Sequence, residues 1–264
     1  MSQRVVKIAL AMTFAALLPS CFGAQVESRQ VGPVALAYNF AKASPSPTAT
    51  PQTSVPPVTV GPLVVSQGAV VVRGFHEPGD WAHRNYCGAG ATQVLLSAWM
   101  SDVPDIETVA RASKLNPNRG EYGADAANAI NGFLNPLVMP ELGQARYKAE
   151  HVTVLADVQA RILADITDQQ AMMSFGHGVP VMVQTMTKTM PGWNHWNATH
   201  MITIFAFDFS HNDPTLDTVT YAETPSPLAG YRGPDFQTIT VSQLWVAMQA
   251  YNKEFPADPM NVIS

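Results

Sequence analysis

The 264-residue chain contains two cysteines, Cys21 and Cys87. Cys21 lies in an apolar N-terminal stretch that export would remove or lipidate, so Cys87 is the one thiol expected in the exported domain. A lone cysteine in an oxidising compartment has no intramolecular disulfide partner and is either an inert buried residue or a reactive one. Its neighbours favour the second reading. In Asn85-Tyr86-Cys87-Gly88-Ala89-Gly90-Ala91-Thr92-Gln93 the cysteine stands at the mouth of a helix. The unpaired N–H groups and the positive dipole end there favour a thiolate. The residues that follow carry almost no side-chain bulk, which would let a substrate backbone approach. A core cysteine needs neither feature.

A nucleophilic cysteine needs a base, and the base needs an orienting group. Of seven histidines, His200 stands out because it opens the apolar run Met201-Ile202-Thr203-Ile204-Phe205-Ala206-Phe207, at the lip of a strand suited to facing a cleft. The third member comes from pairing across the hairpin that follows. If Asp208 lies opposite Asp217, Glu223 faces Ile202, on the sheet face of His200 and diagonal to it. That diagonal is ~7–8 Å between backbone positions, within reach of both side chains. A one-residue slip would carry Glu223 to the other face and separate the pair.

These residues depend on elements that the pattern also predicts. A short apolar strand is expected over Ala69 to Val72, then the cysteine helix over Gly88 to Ser101. Ile106, Val109 and Ala110 fall at i, i+3 and i+4 behind Asp105, a good N-cap, and mark a second helix. Asp125 to Leu134 and Leu155 to Ala164 predict two more. Strands are expected at Val179 to Thr185, Met201 to Phe207 and Thr218 to Glu223, the last two as a hairpin. A strand over Gln237 to Val241 and a helix over Ser242 to Tyr251, with Ser242 as N-cap, close the chain. Helices first and strands later predict an α+β domain, not alternating βαβ units.

Composition narrows the field. Charged residues make up only 13% of the chain and the net charge is −5, which argues against a nucleic-acid partner, normally marked by a basic footprint. Neither a Walker loop nor GxGxxG occurs, and two cysteines are too few for a four-cysteine zinc site. Arg4 and Lys7 precede an apolar run from Ile8 to Leu18, too short for a bilayer span and suited to a signal peptide over residues 1–23. Leu18-Pro19-Ser20-Cys21 offers a lipobox-like alternative with an acyl anchor on Cys21. Residues 24–62, rich in Pro, Ser and Thr, predict a semi-extended spacer, and residues 63–264 the folded domain. The expectation is an exported protein, secreted or held at a bacterial cell envelope.

The residues also resemble a family. Asn85-Tyr86-Cys87-Gly88-Ala89-Gly90-Ala91-Thr92, then Ala198-Thr199-His200-Met201-Ile202-Thr203, then a strand ending in an acid, are similar to papain-like cysteine peptidases. The similar branch is the one related to the bacteriocin-processing double-glycine peptidases. The likeness extends from Ala69 to Tyr251 through Gly178-Val179-Pro180-Val181 and Thr240-Val241-Ser242-Gln243-Leu244-Trp245. It implies a papain-like fold whose helical N-terminal half carries Cys87 and whose C-terminal antiparallel sheet carries His200 and the acid. It further implies Cys87 as nucleophile, His200 as general base and then acid, Glu223 as its orienting group, a peptide or protein substrate, and no metal or cofactor. Three departures stand out. Gly90 or Ala89 replaces the family's usual Pro, and Glu223 replaces a shorter Asp or Asn. No Gln lies between Ala69 and Cys87 to supply the family's oxyanion donor, which leaves His83 or Asn85 to substitute, or the Cys87 backbone N–H to act largely alone.

Other readings remain open on these residues. A metal site using His195 and His200 with His177 or His211 lacks HExxH and any cysteine pair. A cell-wall amidase or a transglutaminase-type acyltransferase shares the Cys-His chemistry. A catalytically impaired binding module on the same scaffold is favoured by the missing Gln. The segment Pro191-Gly192-Trp193-Asn194-His195-Trp196-Asn197 is expected to wall the cleft.

Overall fold

A computed structural model describes residues 65–264, apart from residues 144 and 195. The signal peptide, the spacer and Cys21 lie outside the described residues, as does His195. The fold is α+β. Seven strands form one sheet, β1 (Gln67–Ala69), β2 (Ala149–Glu150), β3 (Val181–Met186), β4 (Thr199–Asp208), β5 (Thr218–Ala222), β6 (Phe236–Thr240) and β7 (Val262–Ile263). Every pairing is antiparallel, in the order β2-β7-β3-β4-β5-β6, with β1 on β4. β5 occupies one edge of β4, so β3 and β1 share the other edge end to end. Among the described residues six α-helices accompany the sheet: α1 (Cys87–Leu96), α2 (Ile106–Ala112), α3 (Gly123–Leu142), α4 (Leu155–Ile166), α5 (Gln169–Phe175) and α6 (Val241–Glu254).

Alternation along the central strands sorts the core into two layers. Met182 and Met201 pack with Ala91, Leu95 and Leu96 of α1 and with Ala126, Ile130 and Leu134 of α3. Their neighbours Val183 and Ile202 point the other way, onto Val158 and Ile162 of α4 and Leu244 and Met248 of α6. The sheet is thus apolar on both faces. Thr203 in its middle is tied down by its hydroxyl, which donates to the Ala91 carbonyl at 2.7 Å and fixes α1 to β4.

Several boundaries differ from expectation. The first strand is Gln67–Ala69, two residues earlier, and Val71 is exposed. α1 ends at Leu96, after which the chain turns. α3 runs on to Leu142 straight through Pro136 and Pro140, although an interior proline costs about 3 kcal/mol. Buried Ala126, Ile130, Leu134 and Val138 keep the i, i+4 stripe going past the first proline, so packing overrides the local preference. α5, capped by Asp168 on the Ala171 N–H, was not anticipated. The last helix starts one residue before Ser242. Its cap is Thr240, in a capping box with Gln243, and not Ser242. β2 and β7 are two-residue strands, below the length at which alternation can be read.

Candidate active site

α1 presents Cys87 at its first position. The N-cap is Tyr86, whose side chain makes no capping bond, so the N–H groups of the first turn stay free of side-chain partners. The thiol is part-exposed, while Gly88 to Leu96 are all buried. The small residues after the cysteine prove to serve packing. A Cβ on Gly90 would stand 2.9 Å from Thr224 Cβ, and one on Gly88 would run into the Glu121 carboxyl. The expected approach of a substrate backbone to these glycines is therefore corrected: both places are taken by the protein's own side chains.

His200 lies in β4, 3% exposed, deeper than the lip position expected from the sequence. Its Nε2 bonds Glu223 Oε2 at 2.7 Å, and Glu223 has no exposed surface. The Trp193 indole N–H donates to the other oxygen, Glu223 Oε1, at 2.9 Å, and its ring packs edge-on against the imidazole with centroids 4.8 Å apart. Burial alone would lower the pKa of His200. The charge of Glu223, with hydrogen bonding to Cys87 and to Glu223, outweighs that and pushes it up to about 10. With Nε2 engaged by Glu223, Nδ1 is the nitrogen left for the thiol. The arrangement is a cysteine beside an imidazolium that a buried carboxylate holds in place, the geometry that nucleophilic thiol chemistry requires.

Register brings Glu223 there, by a route the sequence did not disclose. Asp208 pairs with Thr218, one residue off the expected Asp217. Carried along the strands unchanged, that register would set Glu223 on the face opposite His200. The pairs then shift between Ala206↔Thr220 and Ile204↔Tyr221, because Phe205 is an extra residue in β4. The bulge restores the inferred pairing beyond it, ending at Thr203↔Ala222, and one further step places Glu223 opposite Ile202. Val70 N–H donates to the Phe205 carbonyl at 2.7 Å, so the bulged residue keeps a partner.

Trp193 was expected to wall a cleft and instead forms the floor under the acid, 4% exposed, while Trp196 is open to solvent. Its loop depends on Gly192, which has φ +83° and whose absent Cβ would meet the Tyr231 ring at 2.5 Å. A cavity of about 430 Å³ opens beside this loop, lined by Lys188, Met190, Asn194 and Gln243, and none of Cys87, His200 or Glu223 lines it.

The two substitute oxyanion donors are corrected. His83 is clamped between carboxylates, Nδ1 on Asp80 and Nε2 on Glu107, and the hydrogen bonds to Glu107 and Asp80 raise its pKa. The side-chain amide of Asn85 donates to the Pro117 carbonyl at 2.8 Å. A carboxyl that sequence reasoning overlooked is Glu77, 5% exposed, whose own N–H donates to the Thr224 carbonyl beside Glu223 and whose charge interacts with His200. The signal available for it was an acid next to Pro78-Gly79, upstream of the cysteine. Among the described residues no group of three or more His, Cys, Asp or Glu is placed to hold a metal ion. None of their helices is long and apolar enough to cross a membrane.

No protein-family model matches the chain, and no curated protein matches its sequence.

Proposed function

We propose that the protein is an exported cysteine peptidase of papain-like fold, acting on peptide or protein substrates without metal or cofactor. The observation that carries the reading is the pairing of Cys87 with a buried imidazolium held by Glu223 at 2.7 Å. The Cys87 sulfur attacks the amide carbonyl, and the C=O electron pair moves onto oxygen. As the tetrahedral species collapses, the His200 imidazolium gives its proton to the departing amine. His200, now neutral, takes a proton from water, whose oxygen attacks the thioester. The thiolate leaves, and a carboxylic acid is released. The N-terminal segment would direct export, with lipid attachment at Cys21 as the alternative to simple cleavage and residues 24–62 as spacer. An amidase or acyltransferase would use the same groups. Release of peptide fragments, as opposed to cross-linked adducts, separates hydrolysis from transfer.

The test is alkylation of the intact chain by iodoacetamide between pH 5 and 9, read at Cys87 by peptide mass spectrometry, in the wild type and in His200→Ala. A free thiol of pKa ~8.5 is almost wholly protonated at pH 6. Fast labelling there, slowed at least tenfold in His200→Ala, is the expected result. Slow labelling that is indifferent to His200 would overturn the enzyme reading and leave a binding module.

A further inference from the structure

The reaction above leaves the buried acid Glu77 unused. Glu77 precedes the short helical turn Trp81–His83, and its own N–H donates to the Thr224 carbonyl at 3.2 Å, which fastens it beside Glu223. The Ser226 hydroxyl donates to the Pro78 carbonyl at 3.0 Å and closes the same junction. The Tyr86 N–H, immediately before Cys87, donates to the His83 carbonyl at 3.1 Å, and the backbone of Tyr86 and Ser226 lies close enough to the Glu77 carboxyl to favour its charged form. The charged groups facing it are His200 from β4 and Glu223, the residue after β5.

His200 already has its carboxylate. A second negative charge there is attracted by His200 and repelled by Glu223, and the cost of burying it outweighs the attraction. A neutral carboxylic acid there does something else. It carries an O–H that can donate, which a carboxylate lacks. Acyl transfer needs such a donor opposite the Cys87 N–H, because the carbonyl oxygen becomes negative in the tetrahedral species, and one missing donor typically slows the step ~10²–10³-fold.

Resting on the peptidase reading, we infer that Glu77 is a catalytic residue that works as the protonated acid, its O–H donating a hydrogen bond to the oxyanion formed on the carbonyl attacked by Cys87. The proton is shared and not transferred. It stays on Glu77 as the C=O electron pair moves to oxygen and returns when the leaving group departs. Burial, opposed by the charge of His200 and the backbone of Tyr86 and Ser226, raises the pKa of Glu77 to about 8, so the acid form prevails at neutral pH. The donor is then lost in alkaline solution, well before His200 titrates at about 10.

The experiment compares two reactions of Cys87 in the intact chain. Acylation by p-nitrophenyl acetate passes through an oxyanion, whereas alkylation by iodoacetamide does not, and the ratio of their rates isolates the donor from thiolate formation. Each is followed from pH 6 to 10 in the wild type, Glu77→Gln and Glu77→Ala, with the acylated residue assigned by mass spectrometry. The wild-type ratio is expected to fall about tenfold per pH unit above pH 8. Glu77→Gln, which always carries a donor, should give a flat ratio. Glu77→Ala should be flat and at least tenfold below Glu77→Gln at pH 6.5. A flat wild-type ratio, an alkaline fall persisting in Glu77→Gln, or equal ratios in the two variants would each overturn the inference. With Cys87 labelling normally, those results leave the peptidase reading standing. If Cys87 of the wild type resists both reagents, the peptidase reading fails and takes the inference with it.

Discussion

Replacing Glu223 by Gln keeps the shape of the buried acid and removes its charge. In the native protein the pKa of His200 rises from 6.5 to about 10. That rise corresponds to about 5 kcal/mol of preference for the imidazolium. Burial acts in the opposite direction and is the largest single influence, so the preference exists because Glu223 and Cys87 oppose it. With the carboxylate gone, burial should dominate and bring His200 below 6.5. The sign for stability follows. A pKa raised in the folded state adds stability that is complete below 6.5 and lost as pH climbs through about 10. The wild type should therefore weaken between pH 8 and 10, and Glu223→Gln should lack that component. Two assays decide the matter: the imidazole proton resonances of His200 followed against pH by NMR, and alkylation of Cys87 by iodoacetamide at pH 6. The variant should show neutral His200 at pH 7 and label about 10–100-fold more slowly, as expected of a thiol without a cationic neighbour. A His200 that still titrates near 10 in Glu223→Gln, with labelling unchanged, would refute the reasoning.

Glu121 offers a second pH effect. Its carboxyl oxygens are buried without hydrogen-bond partners, and burial raises its pKa from 4.5 to about 7. Stability is complete below 4.5 and lost as pH rises through 7, so Glu121→Gln should exceed the wild type by up to about 3 kcal/mol at pH 8.5. Urea melts at pH 5 and 8.5 should show that gain shrinking at the lower pH; a gain that does not change with pH counts against it. Trp193→Phe removes the donor to Glu223 Oε1. It should cost about 2 kcal/mol in urea unfolding, the scale for a hydrogen bond to a charged group, and a loss below 0.5 kcal/mol would show that the bond contributes little. Gly178→Ala would set a Cβ 1.8 Å from the Ile166 carbonyl oxygen, which the α4 backbone cannot yield. It should lower stability by several kcal/mol, and a melt within about 1 kcal/mol of the wild type would contradict that packing.

The parts of the fold that the sequence made legible are those set by local chemistry. Asp105 caps α2 through the Thr108 N–H, and the apolar stripe of α4 is regular enough to read without neighbours. Where tertiary packing competes with local preference, reading failed, as where α3 passes through two prolines; the cap of α6 was misplaced by two residues, since Gln243 forms its capping box with Thr240 and not with Ser242. β7 was invisible for another reason. Two residues carry no period, and its place between β2 and β3 depends on Asn261, buried, which accepts from the Val152 N–H and donates to its carbonyl. The residues brought together at the candidate site were legible one by one from type and context. Their surroundings were not, because Trp193 and Glu77 reach them from loops whose course no pattern fixes.

Register makes the point sharpest. The alignment of His200 with Glu223 was inferred from a hairpin pairing that is off by one at the turn, and the inferred pairing at Glu223 survives only because Phe205 bulges. The core depends on the same extra residue. Ile204 and Phe207 both pack into the layer with α4 and α6, three positions apart on a strand whose side chains otherwise alternate by two. A β4 without the bulge would therefore have to give up either the Phe207 packing near the turn or the buried ion pair at the far end. The ion pair is the harder to give up, since removing one partner of such a pair costs roughly 3–5 kcal/mol. The length of Glu223 fits this arrangement. One carboxylate oxygen takes the imidazole and the other the indole N–H of Trp193. A shorter acid at the same backbone position would stop one methylene closer to the strand, which puts the longer side chain here down to where the bulge leaves the backbone.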